Sequence, residues 1–296
     1  MKIAVKTLKL FEETLVNDQG NEYRKQLANV LPHISDVYRQ DEDGFRSHLG
    51  ASVIGGECSR ALWYGFRWFH KPMLTGRILR LFNRGHLEEG RIIALMLASG
   101  LSVYQQDREG RQYKISDFGG HLGGSGDGVA YGIPDLPEGT ACLLEFKTHS
   151  NASFKKLNLG VQQYKPEHYT QMQMYMEGMG LAYGLYIAIN KDDDEIYAEI
   201  IEQGSHTAPR FKQRAKDIIF APQAPPRIND NPSWYVCKFC NYHHICHKNA
   251  APEQNCRTCL YSAPQEEGTW YCRLHNKPID KDAQLAGCGH HSFIRS

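Results

Sequence analysis

The chain has no apolar run near the roughly 18–20 residues a membrane helix needs. It therefore cannot be read as helically membrane-spanning, and no membrane is expected among its partners. The N-terminus, Met1 to Lys6, has no long apolar segment, so no secretory signal is expected and the cytoplasm is the expected compartment. Charge of one sign is also missing. The net charge is +1, so a uniformly basic nucleic-acid-binding surface is excluded, though a local basic groove is not. No Gly-x4-Gly-Lys-Ser/Thr loop occurs, which excludes a nucleotide-driven motor of that type. Internal repeats and low-complexity tracts are absent as well. What remains is 296 residues, 41% hydrophobic and 23% charged, enough for one large folded domain or two unequal ones.

Cysteine is plentiful. Nine cysteines in a chain expected in a reducing compartment argue for metal ligation over disulfides. Cys58 stands alone near the front and Cys142 lies in an apolar run. Cys237, Cys240, Cys246, Cys256, Cys259, Cys272 and Cys288 crowd the last quarter.

Residues 1–45 are weakly periodic and carry no readable element. The spacing of Leu62, Trp63, Phe66 and Phe69 predicts a short amphipathic helix over 61–69. Ile78, Leu81, Phe82, Ile92, Leu95 and Met96 predict a long helix over 76–98, stopped by Gly100. A strand-rich block follows, with strands expected over 101–105, 113–118, 122–131 and 141–148. A helix is expected over 167–179, strands over 183–190 and 195–201, and a helix over 208–220. A proline-rich connector, 221–232, then leads into the cysteine-rich tail. This order indicates an α/β fold: a mixed central sheet flanked by helices, with a small cysteine-rich, metal-binding C-terminal module. The division expected is 1–249 and 250–296.

The chemistry concentrates in Gly126-Asp127-Gly128-Val129 and Cys142-Leu143-Leu144-Glu145-Phe146-Lys147. An aspartate, a hairpin-sized gap and a Glu-x-Lys ending an apolar run put two carboxylates and a lysine within reach of one another. Two carboxylates suit a hard divalent cation. A lysine two residues after a glutamate lies on the same side of a strand. Each piece alone is weak, since Gly-Asp-Gly marks a turn more often than a site and Glu-x-Lys is common. Three further pieces surround them: Gly85-His86-Leu87-Glu88-Glu89, Gln171-Met172-Gln173-Met174-Tyr175, and Cys58-Ser59-Arg60. On one continuous helix Tyr164, His168, Gln171 and Tyr175 would share a face. Met172, Met176 and Met179 would face the core. Arg60, Arg67, Lys71, Arg77, Arg80, Arg84 and Arg91 form the one basic cluster, readable as a phosphate grip or as a solvated helix face.

In this order the pieces resemble the RecB-like exonucleases of the PD-(D/E)XK superfamily, and most closely the CRISPR-associated and phage-encoded type that carries an iron–sulfur cluster. The resemblance covers roughly residues 46–247. The family often has Cys-Pro-Arg where this chain has Cys58-Ser59-Arg60. The resemblance implies a restriction-endonuclease-like sheet and a Mg²⁺- or Mn²⁺-dependent nuclease acting on DNA. The substrate would be single-stranded or double-stranded ends, met in recombination, repair or phage DNA processing. A strand-annealing or other recombination protein is implied as partner. Asp127, Glu145, the main-chain carbonyl of Phe146 and His86 would hold the ion. Lys147 would position the attacking water, Gln171 would bond the carboxylates or the DNA backbone, and Tyr175 would touch substrate phosphate.

The same resemblance assigns Cys58, Cys237, Cys240 and Cys246 to a [4Fe–4S] cluster. Zinc on Cys237, Cys240, Cys246 and one of His243, His244 or His247 is the alternative, and it leaves Cys58 unused. The spacing of Cys256, Cys259, Cys272 and Cys288 reads as a zinc ribbon or knuckle, with His275, His290 and His291 as substitute ligands. Trp270 and Tyr271 beside Arg273 could stack on bases. Cys142 is left over as a buried, inert thiol. Two other readings stay open: a non-catalytic nucleic-acid- or protein-binding module on the same fold, and a redox or metal sensor. The second is disfavoured, since no Cys-x2-Cys sits in a thioredoxin-like context.

Overall fold

A computed structural model describes residues 1–38, 44–71 and 73–295. Two compact units emerge. The first is built from Met1–Asp41, Leu74–Ile115 and Ser125–Ser205, the second from Glu42–Met73, Ser116–Gly124 and His206–Ser296.

The first unit is organised by a five-stranded mixed sheet. Its order is Ser102–Tyr104, Gly128–Tyr131, Cys142–His149, Tyr183–Asn190, Ile196–Glu202. The central strand Cys142–His149 runs parallel to Tyr183–Asn190, and every other pairing is antiparallel. Both central strands are nearly all buried, as expected for strands covered on both faces. On one face Leu144, Phe146, Leu185 and Ile187 pack with Phe11, Ile92 and Met96 from the helices Val5–Asp18 and Gly76–Ala98. On the other face Met172 and Met176, from the helix Pro166–Met179, lie against Gly184.

The long helix Gly76–Ala98 has the bounds its periodicity predicts. Thr75 caps it by accepting from the Ile78 amide, and Gly100, at φ +78°, takes the left-handed turn beyond it. Residues 1–38, unreadable by pattern, form the helices Val5–Asp18 and Asn21–Val30. The second of these has no fully buried residue, which is why its periodicity is faint.

The expected strand 122–131 is in fact two strands in different sheets, Leu122–Ser125 and Gly128–Tyr131. The break falls at Gly126-Asp127. Gly128 sits at φ +155°, and a Cβ there would lie 2.8 Å from the carbonyl oxygen of Tyr104. Only glycine lets the chain leave one sheet and enter the next in so few residues.

The second unit has its own aromatic core. The helix Ser59–Phe66 contributes Trp63, Tyr64 and Phe66 to it, and Trp68 and Phe69 follow. Its small antiparallel sheet orders Lys277–Ile279, Trp270–Cys272 and Ser262–Pro264. Two arginines are stacked into this core. The Arg257 guanidinium lies 3.8 Å from the Trp68 ring centre and 4.6 Å from that of Trp270. It donates to the Phe66 carbonyl and to Gln284. Arg67 sits over Trp63 and Trp270 and donates to the Arg257 carbonyl. Burial lowers the Arg67 pKa to about 10.

Four expectations change here. Arg67 is core and does not belong to a phosphate grip. Arg60 is committed to Tyr64 and to the Pro225 carbonyl. Trp270, 2% exposed, is packed between arginines and offers no face to a base. The boundary expected at 249/250 falls inside this unit, because Trp270 and Arg257 fill the core made by Phe66, Arg67 and Trp68. No helix among the described residues is long and apolar enough to cross a membrane.

Replacing Gly128 by alanine forces the chain out of a conformation that side chains rarely adopt. The loss expected in urea unfolding is about 1–3 kcal/mol. An unchanged midpoint would show that the strand break tolerates a side chain.

Candidate metal centre

The pairing of Gly128–Tyr131 with the central strand ends at Gly128↔Leu144. Beyond Leu144 that edge of the central strand is released. The Phe146 amide, which would otherwise continue the ladder, donates to Asp127 Oδ2 at 2.8 Å. N–H and C=O of one strand residue point to the same side, so the Phe146 carbonyl emerges beside Asp127. The strand break thus delivers a carboxylate and a main-chain carbonyl to one place.

Glu145 and Lys147 alternate with Phe146 and share the opposite face. Glu145 is fully buried. Lys147 Nζ bonds Glu145 Oε1, and Gln171 Nε2 donates to Oε2 at 3.0 Å. Glu145 is therefore clamped from two directions, by a neighbour on its own strand and by the covering helix. His86 and Glu89, three residues apart on the long helix, line an open cavity of about 550 Å³ together with Asp127, Lys147 and Lys191.

Three carboxylates thus surround one ammonium. Burial, then the Lys147 charge working against it, sets Glu145 at about 7. Burial and the neighbouring Asp127 push Glu89 up to about 7. Asp127 is raised by burial, against the pull of Lys147, the Phe146 amide and His86. Burial alone would lower Lys147, but the carboxylates of Glu145, Asp127 and Glu89 outweigh it and hold the ammonium charged. Lys147 is bonded to Glu145 and acts by its charge on all three acids, and a hard divalent ion with oxygen ligands would supply the further positive charge they can take.

Of the expected residues, Asp127, Glu145, Phe146, Lys147 and Gln171 come together through direct bonds. His86 reaches Asp127 electrostatically across the cavity. Tyr175 is only 2% exposed, which leaves almost no surface for a phosphate contact. Tyr164 is not on the Gln171 helix. It ends a separate short helix, Val161–Tyr164, broken at Lys165 before Pro166. Of the methionines expected in the core, Met172 and Met176 are fully buried.

Three residues had been passed over. Glu89 ends the Gly85-His86-Leu87-Glu88-Glu89 piece without a role of its own in the sequence, yet it stands one helical turn from His86. His149 and Tyr186 form a buried network with His168. The Tyr186 hydroxyl lies 2.9 Å from His149 Nε2 and 3.0 Å from His168 Nδ1. Burial drives His149 down to about 4 and His168 to about 3, so both rings are neutral at ordinary pH. Tyr186 is the register partner of Glu145 on the adjacent strand. The alternation Glu145, Lys147, His149 is the signal that could have revealed it.

The second unit gathers thiols distant in sequence. Cys58, Cys237, Cys240 and Cys246 lie within electrostatic reach of one another. Arg214 positions the loop carrying Cys58 by donating to the carbonyls of Ile54 and Gly56 and to Ser59 Oγ. Arg227 donates to the Cys246 carbonyl, and the Tyr242 amide donates to Cys240 Sγ at 3.4 Å. Cys256, Cys259, Cys272 and Cys288 form a second neighbourhood. Cys142 is fully buried, and burial pushes its thiol up to about 12, which leaves it inert.

No family model and no curated protein matches the chain. Among solved structures it is similar to SSO0001 at 15% identity and a TM-score of 0.40, over 76% of this chain and 93% of that one. It is also similar to the alkaline exonuclease LHK-Exo from Laribacter hongkongensis, solved in one case in complex with dAMP. There the identity is 16% and the TM-score 0.41, over 66% of this chain and 90% of that one.

The raised carboxylates fix a pH dependence. The metal-free folded chain binds these protons more tightly than the unfolded chain. The stability they contribute is full below 4.5 and is lost as pH rises through about 7. A divalent ion must displace the same protons, so its binding tightens over the same interval. Thermal unfolding at about pH 5 and about pH 8, with and without Mn²⁺, checks both. The expected pattern is a lower metal-free midpoint at the higher pH and a larger upward shift by Mn²⁺ there.

Proposed function

We propose that this chain is a metal-dependent nuclease that hydrolyses phosphodiesters and acts on DNA ends. The observation that carries the reading is the convergence of Glu89, Asp127 and Glu145 on Lys147, with Glu89, Asp127 and Lys147 lining an open cavity and Glu145 buried behind them. Buried acids arranged to share one cation are costly to a fold and are typical of sites that bind and activate. Mg²⁺ or Mn²⁺ would be held by Asp127, Glu145, the Phe146 carbonyl and His86, with Glu89 as a further carboxylate. Once bound, it lowers the pKa of water and offsets phosphate charge.

The chain's own groups do the rest. Lys147, charged and two residues from Glu145, orients the attacking water. Gln171 fixes the Glu145 carboxylate by donating to Oε2, which would orient it toward a bound ion. Tyr186, His149 and His168 hold the floor of the site without adding charge. Arg77, Arg80 and Arg84 are exposed on the long helix at spacings of three and four, so they line one face and can grip phosphates.

Cys58, Cys237, Cys240 and Cys246 would hold a [4Fe–4S] cluster as a structural staple of the second unit. Cys256, Cys259, Cys272 and Cys288 would hold a structural zinc.

Two measurements test these readings. With Mn²⁺ or Mg²⁺, the wild-type chain should degrade end-labelled linear DNA, and Glu145→Ala should lower the rate at least ~10³-fold. Absence of cleavage of single- and double-stranded DNA and of RNA by cluster-loaded protein would favour a binding module instead. Anaerobically purified protein should contain about four iron and four sulfide per chain, and Cys58→Ser should lose most of both. Zinc in place of iron would contradict the cluster.

A further inference from the structure

The one set of three metal-ligating side chains that gathers closely among the described residues takes a single member, Cys288, from the expected thiol quartet and two of the histidines expected only as substitutes. His275, Cys288 and His290 each bring one donor atom within 4.8 Å of the others, and all three are exposed. His275 comes from the turn between Trp270–Cys272 and Lys277–Ile279. Cys288 and His290 come from the segment after the helix Lys281–Ala286. Cys288 Sγ is 3.7 Å from His275 Nε2, and the two imidazoles meet edge to face at 5.7 Å. His291 takes no part, because its Nε2 is engaged by Thr258 Oγ1 at 3.2 Å.

Cys288 also belongs to the thiol neighbourhood of Cys256, Cys259 and Cys272. Counting both neighbourhoods, six donors lie in this region, two more than one tetrahedral ion accepts. A thiolate sulfur has lone pairs enough to bridge two ions. Two tetrahedra sharing one corner have seven corners in all. The side chains present fill six of them, and the unfilled corner lies on the histidine side, where all three ligands face solvent.

We propose that His275, Cys288 and His290 hold a zinc-class divalent ion of their own, adjacent to the thiol-bound one, with Cys288 shared and the fourth position open. Imidazole and thiolate together select a borderline ion such as zinc over magnesium or calcium. Closed four-thiolate sites are structural, whereas a site with three protein ligands keeps a place for water or for a donor from a bound molecule. The histidine-side ion is accordingly the exchangeable one. The count of two ions rests on the zinc reading of the thiol quartet; the histidine site itself does not.

The test is the zinc content of the full-length chain, with iron measured in the same samples. His275→Gln/His290→Gln should lose one zinc equivalent per chain while the iron stays unchanged. Cys256→Ser/Cys259→Ser should lose the other equivalent and keep the histidine-held ion. If the cysteine pair leaves zinc unchanged and the histidine pair removes it, the quartet reading fails and the histidine site stands. If the histidine pair leaves zinc unchanged, the proposal is overturned. Circular dichroism reports whether either variant unfolds. Should one do so, zinc-edge X-ray absorption of the wild type decides. Imidazole scattering that a brief chelator wash removes supports the site, and a shell of sulfur alone overturns it.

Discussion

The contact on which the first unit depends is the one between Lys147 and Glu145. Glu145 is fully enclosed in a sheet covered on both faces, where an unpaired carboxylate would be strongly disfavoured. Lys147 supplies its counter-charge from the same strand face, and Gln171 supplies the second hydrogen bond. The same ammonium must also offset Asp127 and Glu89, so every acid in the centre is raised and none is fully satisfied. Much else follows from that shortage of positive charge. The floor beneath is built from neutral histidines and a tyrosine, which add hydrogen bonds without adding charge.

Geometry makes the shortage usable. The sheet strand Gly128–Tyr131 stops two residues short of Phe146, and the released amide captures Asp127. Gly128 makes the stop sharp, since any side chain there would strike the Tyr104 carbonyl. A more regular ladder would have satisfied the Phe146 backbone and carried Asp127 away. Local irregularity in an otherwise well-paired sheet is a common way to aim a functional group.

The sheet, the long helix and the Asp127–Glu145–Lys147 group were legible because their signals are local. An apolar run ending in Glu-x-Lys marked the central strand, a helical stripe marked 76–98, and glycines flanked the aspartate. Residues 1–38 were not legible, because a helix such as Asn21–Val30 buries no residue fully and leaves a faint stripe. The break within 122–131 was missed because Val129 and Ala130 continue an apolar pattern that only tertiary pairing interrupts. Glu89 carries no local signal of its own beside His86, because its environment is made by Asp127, far along the chain. Arg67 and Trp270 carried the composition of a nucleic-acid surface and turned out to be the core of the second unit, stacked on each other. A guanidinium over an indole reads the same in sequence whether it is buried or exposed. The thiol groups were legible as counts and spacings, but the histidines beside Cys288 could be ranked only by distance.

The central claim is that the carboxylates around Lys147 form a cation site. Crystals soaked in Mn²⁺ and measured at the manganese absorption edge test it most directly. The account predicts an anomalous peak bonded to Asp127, Glu145 and the Phe146 carbonyl, with Lys147 Nζ moved off Glu145. A map with no manganese at this cavity, and Lys147 still seated on Glu145, would contradict it.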